Sequence, residues 1–296
     1  MSKELFKFKT IVVATDLTYS GSCALRYARR IAKLHGSKLV MIYAIDPAGY
    51  AFPDGLPEFA VNDQGAREAL KTIEEEIRQQ GIEAHSVVET GVICERILQA
   101  VLDNRADLLV LGTRAAAQVG RAALGTIARR LLATAPCPIL TVPPVAAAIL
   151  DSTDHWRKVL VATDFTDASV AALDHAQSVL SDHLVVIHAT GDLGHRDYVH
   201  HLERLRFLAP FNESHTVPVE HLVIPGEASA VIAEHANRLR ADLVILGSPP
   251  SELAEKDFPT STVLQVISNV SCPVLCVPPA RRICAAKIVK ELALSH

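Results

Sequence analysis

No apolar run in this sequence approaches the roughly 18 to 20 residues that a membrane-spanning helix needs. The first ten residues, MSKELFKFKT, scatter their charges and carry no apolar stretch ahead of a small-residue cleavage site, unlike a secretion signal; the expected location is the cytoplasm. A basic excess is missing as well. The 29 Lys and Arg are outnumbered by 33 Asp and Glu, for a net charge of −4, so neither nucleic acid nor an anionic membrane surface is an expected partner. None of the six cysteines (23, 94, 137, 272, 276, 284) forms a C-x-x-C pair, which removes the usual mark of a zinc or redox centre. Cys137 and Cys272 each stand in a Cys-Pro step before an apolar run, the setting of a small buried thiol. Eight of the 13 histidines lie between His183 and His235. A metal site around His195, His200 and His201 would need a ligand pair at H-x-x-x-H spacing on a helix, which is lacking; no metal is expected, and these histidines read as solvated surface.

What is present is a globular composition, 49% hydrophobic and 21% charged over 296 residues, enough for two domains with their own cores. The chain also repeats itself. KTIVVATDLTYSGSCALRYARRIA from Lys9 matches RKVLVATDFTDASVAALDHAQSVL from Arg157 at an offset of 148. RADLLVLGT from Arg105 matches RADLVILGS from Arg240, and APCPILTVPP from Ala135 matches VSCPVLCVPP from Val270, both at an offset of 135. This is a tandem duplication, and the 13 residues lost from the second copy are expected between its second strand and Gly226, the counterpart of Gly91. The copies are expected at 1–145 and 156–280, followed by a tail at 281–296.

Within the first copy, short aliphatic runs near 10–15, 38–45, 83–89, 107–112 and 138–142 alternate with segments of helical spacing that end at Gly36 and Gly81, a third at 93–105, and a fourth beginning at Gly125. Continuous Val, Ile and Leu strands, each followed by a helix, predict an α/β fold: a parallel sheet covered on both faces in each copy. In such sheets ligands sit at the carboxyl ends of the strands, where the strand order reverses. The loops to read are therefore Asp16 to Ser20, Ala44 to Pro57 and Thr113 to Leu124.

Two familiar phosphate motifs fail there. The turn after the first strand, TDLTYSG, is no G-x-G-x-x-G, and GRAALGT, Gly120 to Thr126, lacks the essential lysine of a P-loop. Gly112 at the end of one strand and Gly125-Thr126 at the start of a helix remain. Unpaired backbone N–H groups and the helix dipole favour an anion at such a start. A tight turn at Gly125 with Thr126 as cap is the equally weighted alternative.

The V-x-x-[TD]-D first strand, the A-D-L-[LV]-[VI]-L-G-[TS] strand and the C-P-[IV]-L-x-V strand, each occurring twice, resemble the universal stress protein family in its tandem form, over nearly the whole chain. The resemblance implies two open parallel five-stranded sheets of the doubly wound, adenine-nucleotide-binding type, packed as an intramolecular pseudo-dimer through the edges PILTVPP and PVLCVPP; a homodimer stands as a further arrangement. Nucleotide-binding members of that family carry G-x-x-G, nine residues, then G-[ST]. Here Gly112 is followed by Ala115 in place of the second glycine, then nine residues, then Gly125-Thr126.

By that resemblance Ala14, Thr15 and Asp16 lie beside the adenosine, and Ala44 touches the adenine. Gly112, Thr113, Ala115, Gly125, Thr126 and Ile127 line the phosphates, with ATP, accompanied by Mg2+, as the cofactor. Ala115 departs from the pattern at a cost on the order of 1 kcal/mol if positive φ or close backbone approach is needed there; Arg114, Arg121 and Arg129 could offset it by charge. The second copy departs further. Pro249 and Pro250 follow Gly247-Ser248, Thr260-Ser261 replace Gly125-Thr126, and Glu252, Glu255 and Asp257 would repel phosphate. One nucleotide per chain is expected, in the first copy.

Phosphate hydrolysis wants a base and metal ligands beside the phosphates, yet Thr113 to Leu124 holds no Asp, Glu or His. No catalytic residue is assigned. The expectation is a non-catalytic, nucleotide-responsive regulator of stress adaptation with an unidentified protein partner. A scaffold that binds no nucleotide, and a slow ATP hydrolase or self-phosphorylating enzyme, are the alternatives.

Overall fold

The computed structural model describes residues 7–46, 63–115, 122–148, 155–179, 181–191, 195–210, 217–248 and 261–279. The first copy runs β1 (Thr10–Ala14), α1 (Tyr19–His35), β2 (Lys38–Ile45), α2 (Asp63–Gln79), β3 (Ala84–Thr90), α3 (Ile93–Asp103) and β4 (Leu108–Gly112). Two short strands follow, β5 (Arg114–Ala115) and β6 (Ala122–Ala123), then α4 (Thr126–Thr134), β7 (Ile139–Val142) and a 3-10 turn at Pro144–Ala148. The second copy runs β8 (Trp156–Ala162), α5 (Asp167–Ser178), β9 (Ser181–Ala189), α6 (His195–Leu208), β10 (Val219–Ile224), α7 (Ala228–Leu239), β11 (Leu243–Gly247), α8 (Thr262–Asn269) and β12 (Val274–Val277).

Strand alternation assigns the two faces of the sheet. Ile11 and Val13 of β1 join Leu108 and Val110 of β4 in a core under α1 and α2, whereas Val12, Leu109 and Leu111 join the opposite core under α3 and α4. Every one of these side chains is buried, which is why the strands read as unbroken aliphatic runs rather than alternating ones. Each contributes roughly 1.5 to 3 kcal/mol by leaving water.

The strand order β10-β9-β8-β11-β12-β7-β4-β1-β2-β3 makes a single ten-stranded sheet. The two five-stranded halves meet through their last strands, the edges expected to pack: β7 and β12 pair antiparallel, Leu140 opposite Leu275, and the other neighbours pair parallel. Each apolar edge thereby finds hydrogen-bond partners that an exposed edge would lack. Because the junction is antiparallel, the carboxyl edges of the two copies point in opposite directions.

Register also relocates the deletion. Val40 is opposite Val12 and Val185 is opposite Leu160, so the second strands are offset by 145, while Val40 with His85 and Val185 with Glu220 set the third at 135. Three of the 13 missing residues therefore fall before the second strand, where α5 is shorter than α1, and the remainder between β9 and β10. Deletions at helix ends and loops spare the sheet ladder, which accounts for where they landed.

The repeated R-A-D has a structural meaning. Arg105 and Arg240 end α3 and α7 in the left-handed region, φ 48° and 52°. The aspartates that follow clamp the start of the neighbouring strand: Asp107 Oδ2 accepts from the Lys9 and Thr10 N–H groups at 2.8 and 3.1 Å, and Asp242 Oδ2 from those of Arg157 and Lys158 at the same distances.

Candidate functional site

The strand order reverses between β1 and β4, and in open parallel sheets the carboxyl ends at such a reversal are where a ligand crevice lies. Ala14 ends β1, and the Thr15 N–H extends the ladder to Ile42 O at 3.0 Å. The chain then turns through Leu17 at φ 58°, a left-handed conformation in a residue with a branched side chain, which costs about 1 to 3 kcal/mol. Two side chains hold it there. Thr15 Oγ1 accepts from the Leu17 N–H at 3.1 Å, and Asp16 Oδ1 accepts from the Thr18 N–H at 3.0 Å and its hydroxyl at 2.6 Å. The exposed Asp16 carboxylate thus serves as a turn anchor.

The second copy repeats the device with Phe165 at φ 67° and Asp164 Oδ1 accepting from the Thr166 N–H and hydroxyl. Burial raises the Asp164 carboxyl, but hydrogen bonds from Thr166 and Ser169 outweigh it and hold it below the usual carboxylate range.

Ala44 lies half-buried near the end of β2, opposite Glu89, so the same edge carries it beside the Asp16 turn. Gly112 has a packing reason to be glycine. A Cβ there would stand 2.5 Å from the Ser20 carbonyl oxygen, and at Gly247 2.6 Å from the Ser169 nitrogen; the last residue of β4 touches the start of α1, and that of β11 the start of α5. Thr113 is buried, its N–H and hydroxyl both on Val142 O at 2.9 and 3.4 Å. Its side chain serves the β4–β7 ladder.

Ala115 is in β5, paired with Ala122 of β6. The segment after β4 begins and ends as a small antiparallel ladder, and an extended residue in such a ladder needs no left-handed φ. Gly120, Arg121, Pro249, Pro250, Glu252, Glu255, Asp257 and Thr260 lie outside the described residues.

Helix α4 has Gly125 as its N-cap, with φ −67° and no side-chain cap. The alternative that Thr126 caps the helix is corrected: Thr126 is its first helical residue, exposed. Among the described residues nothing stands within 4 Å of where a Gly125 Cβ would be, and no side chain caps the helix start. Ile127 is half-buried against the core, and its carbonyl accepts from Cys94 Sγ at 3.9 Å, which ties the start of α4 to the start of α3. Arg129 and Arg130 are exposed on α4.

Two residues escaped the reading of the sequence. Gly21 packs so closely that a Cβ would meet Thr15 Oγ1 at 2.6 Å and Asp16 Oδ1 at 2.8 Å; a glycine just inside the first helix was its signal. At the corresponding Ser169, the hydroxyl bonds Thr163 Oγ1 at 2.9 Å. The second is Val92, N-cap of α3, whose counterpart Glu227 caps α7 with its carboxylate. Ser229 Oγ donates to Glu227 Oε2 at 2.6 Å and also meets Gln265 of α8, and these hydrogen bonds from Ser229 hold the Glu227 carboxyl below its ordinary range. The start of the second copy's last helices therefore carries an anionic group where the first copy has an apolar one.

The solvated-surface reading of the histidines is also corrected. His188 and His235 are buried, with Nδ1 on Thr163 O and Val231 O, both at 2.8 Å, and His221 Nε2 meets Ala209 O at 2.7 Å. Backbone carbonyls satisfy them, which lets a polar ring enter the interior. His200 is exposed. No metal-ligating group of three or more His, Cys, Asp or Glu occurs among the described residues. Among the same residues, no helix is long and apolar enough to cross a membrane.

A duplicated doubly wound sheet with this strand-end crevice defines the class, and the comparisons name the family. The universal stress protein family profile matches residues 7–143 and 155–278. The chain is 35% identical over 148 residues to a universal stress protein of Thermus aquaticus, spanning 46% of this chain and 98% of that one. It is 29% identical over 143 residues to one of Methanocaldococcus jannaschii, spanning 46% and 82%. The crystal structure of a universal stress protein from Archaeoglobus fulgidus superposes with a TM-score of 0.76 at 19% identity, covering 93% of this chain and 100% of that chain. This chain belongs to the universal stress protein family, in tandem form.

Proposed function

We propose that the chain is an adenine-nucleotide-responsive regulator of stress adaptation, located in the cytoplasm, that binds one ATP in its first copy and does not turn it over appreciably. The observation that carries this reading is the contrast between the openings of the two crevices. In the first, among the described residues, α4 starts at an uncapped Gly125 with space around it, and the neighbouring α3 is capped by apolar Val92 with Glu95 one turn in, so no carboxylate caps either helix start and the dipole of α4 favours an anion. In the second, the ionised Glu227 stands at the adjoining helix start and would oppose a phosphate.

In this reading Asp16, Ala14 and Ala44 flank the adenosine. The Gly125 and Thr126 N–H groups hold the phosphates, with the Thr126 hydroxyl as an added donor. Mg2+, when bound with ATP, would neutralise phosphate charge; Asp16 is the only acid assigned to this crevice, too few for a resident metal site. Gly112 and Thr113 act through packing, by fixing where α1 and β7 meet β4.

Calorimetric titration of the full chain with Mg-ATP tests this. The expected result is one site per chain, weakened at least tenfold by Gly125→Val and by Asp16→Ala in folded protein. Two equivalent sites, no heat of binding, or unchanged affinity in both variants would overturn it. Multiple-turnover release of phosphate at rates typical of enzymes, about 1 s⁻¹ or more, would favour a hydrolase.

A further inference from the structure

A cleft of about 430 Å³ opens between α1 of the first copy and the leading edge of the second, within the ~300–1,000 Å³ typical of small-molecule sites. Its walls carry three guanidinium groups, those of Arg30, Arg157 and Arg240, against one carboxylate, Asp242. That carboxylate is already engaged: it accepts the Arg157 and Lys158 N–H groups and pairs with the Arg157 guanidinium at 3.5 Å. Positive charge is in excess.

The floor is preformed. The Arg30 guanidinium lies 4.7 Å over the Trp156 ring and donates to His155 O at 2.7 Å, so its plane is held by a stack and a hydrogen bond together. The Tyr27 ring runs nearly parallel to Trp156, 15° apart with centroids at 6.1 Å, while its hydroxyl donates to Ala146 O at 3.1 Å. Side chains immobilised before binding lose little entropy when a ligand arrives. Arg240 sits exposed at the end of α7.

The duplication supplies a comparison. The residues equivalent to Trp156, Arg157, Tyr27 and Arg30 are Phe8, Lys9, His175 and Ser178; of the three arginines, the symmetry-related position retains only Arg105 in place of Arg240. The arginine-lined cleft is therefore not a by-product of the repeat, and it lies apart from the carboxyl-edge crevices described above.

We propose that this cleft binds a small molecule bearing a phosphate or pyrophosphate group. Planar guanidinium forks match the paired oxygens of such groups, and three arginines facing one neutralised carboxylate match a dianion in charge.

Trp156 is the one tryptophan of the chain, so its emission reports on this cleft. Full-length protein titrated with pyrophosphate at constant ionic strength should give a saturable change in Trp156 emission and a matching calorimetric isotherm. Arg240→Gln, which alters only an exposed side chain, and Arg30→Gln should each weaken pyrophosphate at least tenfold, whereas Gly125→Val should leave it unchanged. Absence of saturable binding, unchanged affinity in Arg240→Gln, or loss in Gly125→Val would overturn the proposal. Equal saturation by succinate would overturn its phosphate assignment.

Discussion

Thr141 and Val274 face each other across the junction of the two copies, and the buried Thr141 hydroxyl donates to the Val274 carbonyl at 3.2 Å. β7 and β12 are only four residues each, so this side-chain bond adds to a short ladder. Thr141→Val keeps the shape and removes the donor, and should cost about 1 kcal/mol, seen as a small fall in the thermal midpoint. Residues 1–145 expressed alone would expose the β7 edge and should self-associate in light scattering; a stable monomer would contradict the role given to this edge.

Gly112→Ala and Gly125→Ala should separate packing from binding. The first pushes a methyl into the Ser20 carbonyl and should destabilise by roughly 1 to 3 kcal/mol, lowering the melting temperature by about 2 to 4 °C for each kcal/mol. The second meets nothing among the described residues at an ordinary φ and should cost only the poorer capping by alanine, about 1 kcal/mol or less. Differential scanning calorimetry of the pair decides; equal losses would refute the distinction.

Ala115→Gly restores the family's glycine in a residue that here belongs to a two-residue strand. ATP affinity should rise or stay the same, and stability should drop by about 0.5 to 1 kcal/mol through added chain entropy. Weaker ATP binding would show that Ala115 itself contributes to the site.

Acid should destabilise the fold through its histidines. Burial holds His188 below the ordinary 6.5, chiefly by desolvation, and it does the same for His35 and His175. Folded-state values depressed in this way mean that the unfolded chain binds more protons below 6.5, so stability is full above that pH and declines as pH falls through 6.5 toward the folded values. A melting profile flat above pH 7 and falling below 6.5 is expected, with a shallower fall in His188→Gln.

Cys137, Cys272 and Cys276 should resist alkylation in the native protein at pH 8. Burial pushes each thiol up to about 12, which leaves almost no thiolate. Mass spectrometry after iodoacetamide should find these three modified only once denaturant is added.

Hydrophobic pattern alone determined the five-strand plan of each copy, its helices and the identity of the crevice edge. A strand buried on both faces must be aliphatic throughout, and the duplication showed each such run twice; Thr10–Ala14 and Leu108–Gly112 stand almost where the runs placed them. The glycines were visible, but not their reasons: whether Gly112 faces a phosphate or a helix backbone depends on how closely α1 approaches β4, a distance no local pattern encodes. Burial of His188 and His235 was illegible for the same cause, since the carbonyls that satisfy them, on Thr163 and Val231, become partners only after strands and helices take their places. The edges PILTVPP and PVLCVPP were legible as the junction of the copies, but its antiparallel register across Thr141 and Val274, and the cleft that sets Arg30 and Trp156 of different copies against each other, were decided by tertiary structure, because contacts between residues so distant in sequence exist only once the two cores have formed and packed.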